Sequence, residues 1–156
     1  YHENTVTCNG FSKSYAMTGW RLGSAIGPVN IIDEMMKLQQ YTYICAPSFA
    51  QVAGVKAMDV NMDAYVEDYK KKRDFVYEGL KERYKLIKPD GAFYAFPQVP
   101  WGTDEEFVTE AIKHDLLIIP GSVFSEKKTH FRISYAATFE TLERGVEILN
   151  SIAQPG

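Results

Sequence analysis

Residues 10–23 read GFSKSYAMTGWRLG: Lys13 sits between Ser12 and Ser14, Arg21 follows eight positions later, and a glycine closes each end. The stretch is not a glycine-built phosphate loop. That motif needs G-x-x-x-x-G-K-[ST], and only its last pair is present as Lys13-Ser14. Ser12 and Thr7 stand where its two glycines belong, and Gly19, Gly23 and Gly27 do not fit G-x-G-x-x-G. On the upstream side, TVTCNGF (5–11) alternates and is rich in β-branched residues, so it reads as a strand ending near Gly10. Downstream, RLGSAIG (21–27) reads as a second strand that carries Arg21 back beside the first and ends at Gly27-Pro28. A lysine in a short turn after a strand suits a Schiff-base nucleophile, and a guanidinium fork suits a phosphate. By spacing alone, an ordinary surface lysine and surface arginine remain the commoner reading.

The 156-residue chain is long enough for one compact domain with a core and too short for two large ones. With 46% hydrophobic and 24% charged residues it is globular rather than disordered. A net charge of −3 gives no electrostatic reason to expect nucleic acid or an acidic membrane surface. No apolar run approaches the roughly 20 residues that span a bilayer. Neither cysteine, Cys8 or Cys45, forms a metal-binding spacing with the other or with His2, His114 or His130. Both read as free apolar thiols in a reducing, cytoplasmic setting. A start at Tyr1, with no signal-like segment, reads as a chain that is trimmed, excised or mature.

Beyond the two strands, helices are expected over 29–40, capped by Asn30, and over 48–60, with Ser48 and Gln51 as a capping box. In the first, Ile31, Met35 and Leu38 share a face. The longest helix is expected over 63–84, where Val66, Tyr69, Val76, Leu80 and Tyr84 recur at helical spacing. Its basic run, Lys70 to Arg73, reads as a solvated face rather than a nucleic-acid patch. Short strands follow at 85–88, 92–96, 116–119 and 131–135. A helix starts at Thr103 with Glu106 as a capping box, and a last helix covers 139–153 with Thr138 as cap. The class is α/β, turning to α+β in the C-terminal part, with a boundary near residues 60–63.

The run N-G-F-S-K-S-Y-A-M-T-G-W-R-L-G (9–23) resembles the cofactor-lysine signature of fold-type I, pyridoxal-phosphate-dependent aminotransferases, in their class I/II, aspartate aminotransferase-like group. The resemblance continues in LQQYTYICAPSFAQ (38–51), which is similar to the segment that crosses towards the partner subunit. It also holds for GAFYAFP (91–97), PGSVF (120–124) and FRISYA (131–136). It implies that Lys13 is the lysine linked covalently to pyridoxal 5′-phosphate and the carrier of the transferred proton. It implies that Arg21 binds the phosphate and Arg132 the substrate α-carboxylate. Gly10 stands where many members carry a serine on the phosphate, and Ser12 is the neighbouring candidate for that contact. Taken alone, an arginine inside the apolar run Phe131, Ile133, Tyr135 also fits a structural ion pair. Tyr15, Phe93 and Tyr94 read as packing.

By the same resemblance, residues 1–62 correspond to the C-terminal part of the large cofactor-binding domain, a remnant of its sheet. Residues 63–156 correspond to the small C-terminal domain. The acidic partner of the cofactor's ring nitrogen and most of the large sheet are then expected before Tyr1, and Asp33, Asp59 and Asp63 do not replace that partner. The implied parent is a cytoplasmic homodimer that moves an amino group between an α-amino acid and a 2-oxo acid. A pyridoxal-phosphate lyase of the same fold is one alternative. A non-catalytic fragment, for the chain alone, is another.

Overall fold

The structure is a computed structural model and describes residues 2–154. The chain divides into two compact units, Tyr1–Asp63 and Ala64–Gly156.

In the first unit, β1 (Thr7–Gly10) pairs antiparallel with β2 (Gly23–Ile26), from Thr7 opposite Ile26 to Gly10 opposite Gly23. Gly23 has to be glycine, because a Cβ there would lie 2.9 Å from the Asn9 carbonyl oxygen. Between the strands comes α1 (Phe11–Ser14), a single turn, then a 3-10 turn at Thr18–Trp20. Two longer helices follow, α2 (Val29–Thr42) and α3 (Ser48–Ala57). The caps expected from Asn30 and Ser48 are not formed. Pro28 and Pro47 hold the N-cap positions, with no side-chain cap at either. Gln51 turns its amide back to the Ala46 carbonyl (2.7 Å) instead of closing a capping box. The face of α2 expected to turn inward is also open: Ile31, Met35 and Leu38 are exposed, and the helix buries no residue. Among the described residues of this unit, no second layer covers it. Cys8 and Cys45 are free thiols as expected, but exposed rather than packed among apolar side chains.

The second unit holds a true core. α4 (Asp63–Leu80) enters it through Val76 and Leu80. The helix stops short of Tyr84, whose ring is buried and whose hydroxyl donates to the Leu149 carbonyl across the core. The basic run is solvated only in its first half: Lys70 and Lys71 are exposed, with Lys70 on Glu67, whereas Lys72 and Arg73 are half-buried and pair with Asp68 and Asp74. α5 (Asp104–Lys113) starts with the capping box expected from Thr103 and Glu106. α6 (Phe139–Ser151) starts with Thr138 accepting from the Thr141 N–H. Three short strands form an antiparallel sheet in the order β3 (Tyr94–Ala95), β5 (Phe131–Ser134), β4 (Ile119–Pro120). The expected strand at 85–88 is absent: that segment gives one ladder-like bond, Gln98 N–H to the Lys85 carbonyl. Likewise only Ile119 and Pro120 pair out of 116–119 and its neighbour. Phe107 sits at the centre, its ring 4.9 Å from Phe131, 5.5 Å from Trp101 and 6.1 Å from Tyr84. Burying one such ring stabilises the fold by roughly 1.5–3 kcal/mol.

Among the described residues, no helix is long and apolar enough to cross a membrane.

Candidate functional site

The β1–β2 ladder closes on a twelve-residue excursion, 11–22, and this excursion carries Ser12, Lys13 and Arg21. Its two ends are tied by the Phe11 N–H, which donates to the Leu22 carbonyl at 3.1 Å. Lys13 therefore leaves the sheet three residues beyond Gly10, and Arg21 returns two residues before Gly23. Both stand at the same end of the ladder. Lys13 lies inside the turn of α1 rather than in a loose turn, and it is exposed. The Tyr15 and Met17 N–H groups both donate to the Phe11 carbonyl, which folds the chain back immediately after the lysine.

Arg21 is not on the second strand. It caps the 3-10 turn in the left-handed region, at φ 50° and ψ 43°. An L-residue there is crowded between its Cβ and the following carbonyl. Its Nη1 donates to the Thr18 carbonyl at 3.1 Å, and the side chain is otherwise open to solvent. Ala16 in the same excursion is left-handed too, at φ 54°. Beneath the excursion, α3 packs against it through Gly54, where a Cβ would lie 2.4 Å from Leu22 Cδ2. Gly54 thus sets how closely the helix approaches the residue after Arg21. Phe11, Leu22 and Gly54 also line an open groove of about 400 Å3, which neither Lys13 nor Arg21 lines. Gly10 is extended (φ −122°, ψ 136°), and a Cβ there would meet open space. The position lacks a hydroxyl without being blocked to one.

A primary amine, a guanidinium fork and a hydroxyl on one tied excursion suit an aldehyde that bears a phosphate. These donors fit pyridoxal phosphate as one side of a site. The described residues contribute no acid to its ring from this excursion.

In the second unit, β5 alternates. Phe131 and Ile133 enter the core, while Arg132 lies on the other face and is half-buried. The sequence argument that Arg132 would be buried amid apolar neighbours is thus corrected: the pleat sends it away from them. Two rings hold it there. The Arg132 guanidinium carbon lies 4.4 Å from the Tyr94 ring centroid and 4.5 Å from that of Phe124. Tyr94 is therefore more than packing, and Phe124 was not singled out from the sequence at all. The available signal was alternation along GAFYAFP. Tyr94 pairs with Ser134, so it shares a face with Arg132 one step along the pleat.

Comparison with known proteins bears on this pattern. The family profile described as aminotransferase class I and II matches residues 1–149. A probable aspartate aminotransferase of Methanocaldococcus jannaschii is 37% identical over 97% of this chain and 44% of its own length. The aromatic-amino-acid aminotransferase 2 of Thermococcus litoralis is 36% identical over 96% of the chain and 41% of its own length. Among solved structures, an aspartate aminotransferase from Thermotoga maritima superimposes with a TM-score of 0.90 at 34% identity. That match covers 96% of this chain and 40% of the other. The chain thus spans less than half the length of the relatives it matches.

Proposed function

The chain belongs to the class I and II aminotransferase family, and on that premise we propose that the whole protein transfers an amino group from an α-amino acid to a 2-oxo acid. Pyridoxal 5′-phosphate is the cofactor of this reading. The observation that carries it is the tied 11–22 excursion, with an exposed lysine and a conformationally strained arginine at one end of the ladder.

When bound, the cofactor supplies an electron sink that acidifies the substrate's Cα–H. The chain's own residues do the rest. Lys13 Nζ would hold the cofactor's aldehyde group, and its amine would act as the base that takes up and gives back the substrate's Cα proton. Arg21 holds the phosphate with its fork, with Ser12 adding a hydroxyl. Arg132 orients the substrate by its α-carboxylate. The relatives named above for aspartate and for aromatic amino acids act on substrates that share this head group. Residues 1–62 serve as the C-terminal part of the large cofactor-binding domain and 63–156 as the small domain. A cytoplasmic homodimer completes the reading, and exposed free thiols suit a reducing compartment.

Two measurements test this. The chain is incubated with pyridoxal phosphate, reduced with borohydride and digested. The expected added mass falls on the Lys13 peptide and is lost in Lys13→Ala. The whole protein, given an amino acid and 2-oxoglutarate, is expected to form glutamate. Release of ammonia or an eliminated group without glutamate would replace the transferase reading with a lyase.

A further inference from the structure

We propose that Tyr94 and Phe124 are positioning residues that clamp the Arg132 guanidinium between their rings, and that Asp104 anchors the turn carrying Phe124. This rests on the reading of Arg132 as the carboxylate grip.

The rings lie within 4.5 Å of the guanidinium carbon, well inside the roughly 6 Å over which a cation and a ring attract. A planar cation between two rings has its faces covered and its N–H edge free. Among the described residues no carboxylate lies within ion-pair distance of Arg132, and no protein acceptor takes its N–H groups. A half-buried arginine whose donors are unmatched but whose plane is fixed is prepared for a flat, two-oxygen acceptor. Fixing the plane beforehand also removes ordering cost that binding would otherwise bear.

Phe124 is held from behind. It ends the 3-10 turn Gly121–Val123, and its N–H donates to the Gly121 carbonyl at 2.8 Å. The Gly121 N–H donates to the His130 carbonyl at 2.8 Å, two residues before Arg132. The turn lies so close that a Cβ on Gly121 would sit 2.5 Å from that oxygen. Phe96 meets Phe124 edge-on at 6.4 Å and stacks on His130 at 5.2 Å. Asp104, fully buried at the start of α5, accepts the Ser122 N–H at 2.7 Å. Burial pushes its carboxyl up, yet hydrogen bonding led by Ser122 outweighs that and holds it below the ordinary range. The anchor is thus a carboxylate, tying helix to turn.

The test uses the isotope-labelled chain and succinate as probe, reading the Arg132 Nε–H resonance. Without ligand, a ring-current displacement of that proton is expected in the wild type and is reduced in Phe124→Leu and Tyr94→Leu. Its absence from the wild type would overturn the clamp. On titration, each of the two variants is expected to weaken succinate binding about tenfold, with Phe124→Tyr restoring it. Asp104→Ala should act in the same direction, and Asp104→Asn, which keeps an acceptor for Ser122, should recover most of the loss. The unfolding midpoint of each variant separates these effects from loss of fold. If Arg132→Gln abolishes binding while both ring variants bind normally, the positioning roles fail and the carboxylate reading stands. Should Arg132→Gln bind as tightly as wild type, the carboxylate reading fails instead, and the ring-current result alone decides the clamp.

Discussion

Arg21 bears its cation on a backbone that disfavours it. The left-handed conformation costs an L-residue roughly 1–2 kcal/mol, a cost glycine avoids. Such strain persists where function selects the side chain over the backbone. Arg21→Gly is therefore expected to leave stability unchanged or raise it by up to about 1 kcal/mol, while pyridoxal phosphate binding to the chain weakens tenfold or more. Urea midpoints and a cofactor titration check both halves. A variant that loses stability yet binds cofactor normally would show that Arg21 is there for packing. The sequence exposes this residue's chemistry but not its posture, because no local signal distinguishes φ 50° from a strand value. Lys13 and Arg132 stand out in the same way, as residue types in a distinctive order. The Arg132 clamp does not, since Tyr94 and Phe124 lie thirty positions apart and meet at Arg132 only because β3 and β4 both pair with β5.

Among elements, the legible ones carry their own punctuation. Thr103 and Glu106 cap α5, and Thr138 caps α6, because hydroxyl and carboxylate reach free helix amides a few residues away. Where proline occupied the cap, Asn30 and Ser48 were false signals, since the helix begins immediately after Pro28 and Pro47. The 85–88 segment misled differently. Beyond its single backbone bond to Gln98, its tie to the fold comes from side chains. Arg73 and Lys88 both bond Asp74, and Arg73 Nη1 reaches the Pro89 carbonyl. Hydrogen bonds from Arg73 and then Lys88 hold the Asp74 carboxyl at about 2, down from 3.8. Between those values the folded chain binds fewer protons at Asp74 than the unfolded chain. Its contribution is complete above pH about 4 and is lost as pH falls towards 2. The urea midpoint of wild type should exceed that of Asp74→Asn at neutral pH, with the gap closing across this window and shrinking in high salt. A gap that persists unchanged at pH 2 would remove the ion pairs as its cause.

Across the whole molecule the two units differ in how much they bury. The first has only Met17, Leu22 and Ala50 as buried hydrophobics among its described residues. Its two-stranded sheet has both edges open, and a lone hairpin is marginal in water. Along α2 and α3, Val29, Met36, Leu38, Phe49 and Val52 face solvent. The second unit packs one continuous cluster from Val76 through Phe107 and Phe131 to Leu149 and Ala153. Local stability follows buried apolar contact, so opening should be unequal. Hydrogen exchange of the chain is expected to give its slowest amides in α4, α5, β5 and α6. Those of β1, β2 and α2 should exchange at least tenfold faster. Phe107→Ala, which costs about 3–5 kcal/mol in the core, should speed exchange in the second unit. Protection of β1 and β2 equal to that of β5 would contradict this ordering. It would mean that the sheet at whose end Lys13 and Arg21 stand draws on support beyond this unit's three buried hydrophobic side chains.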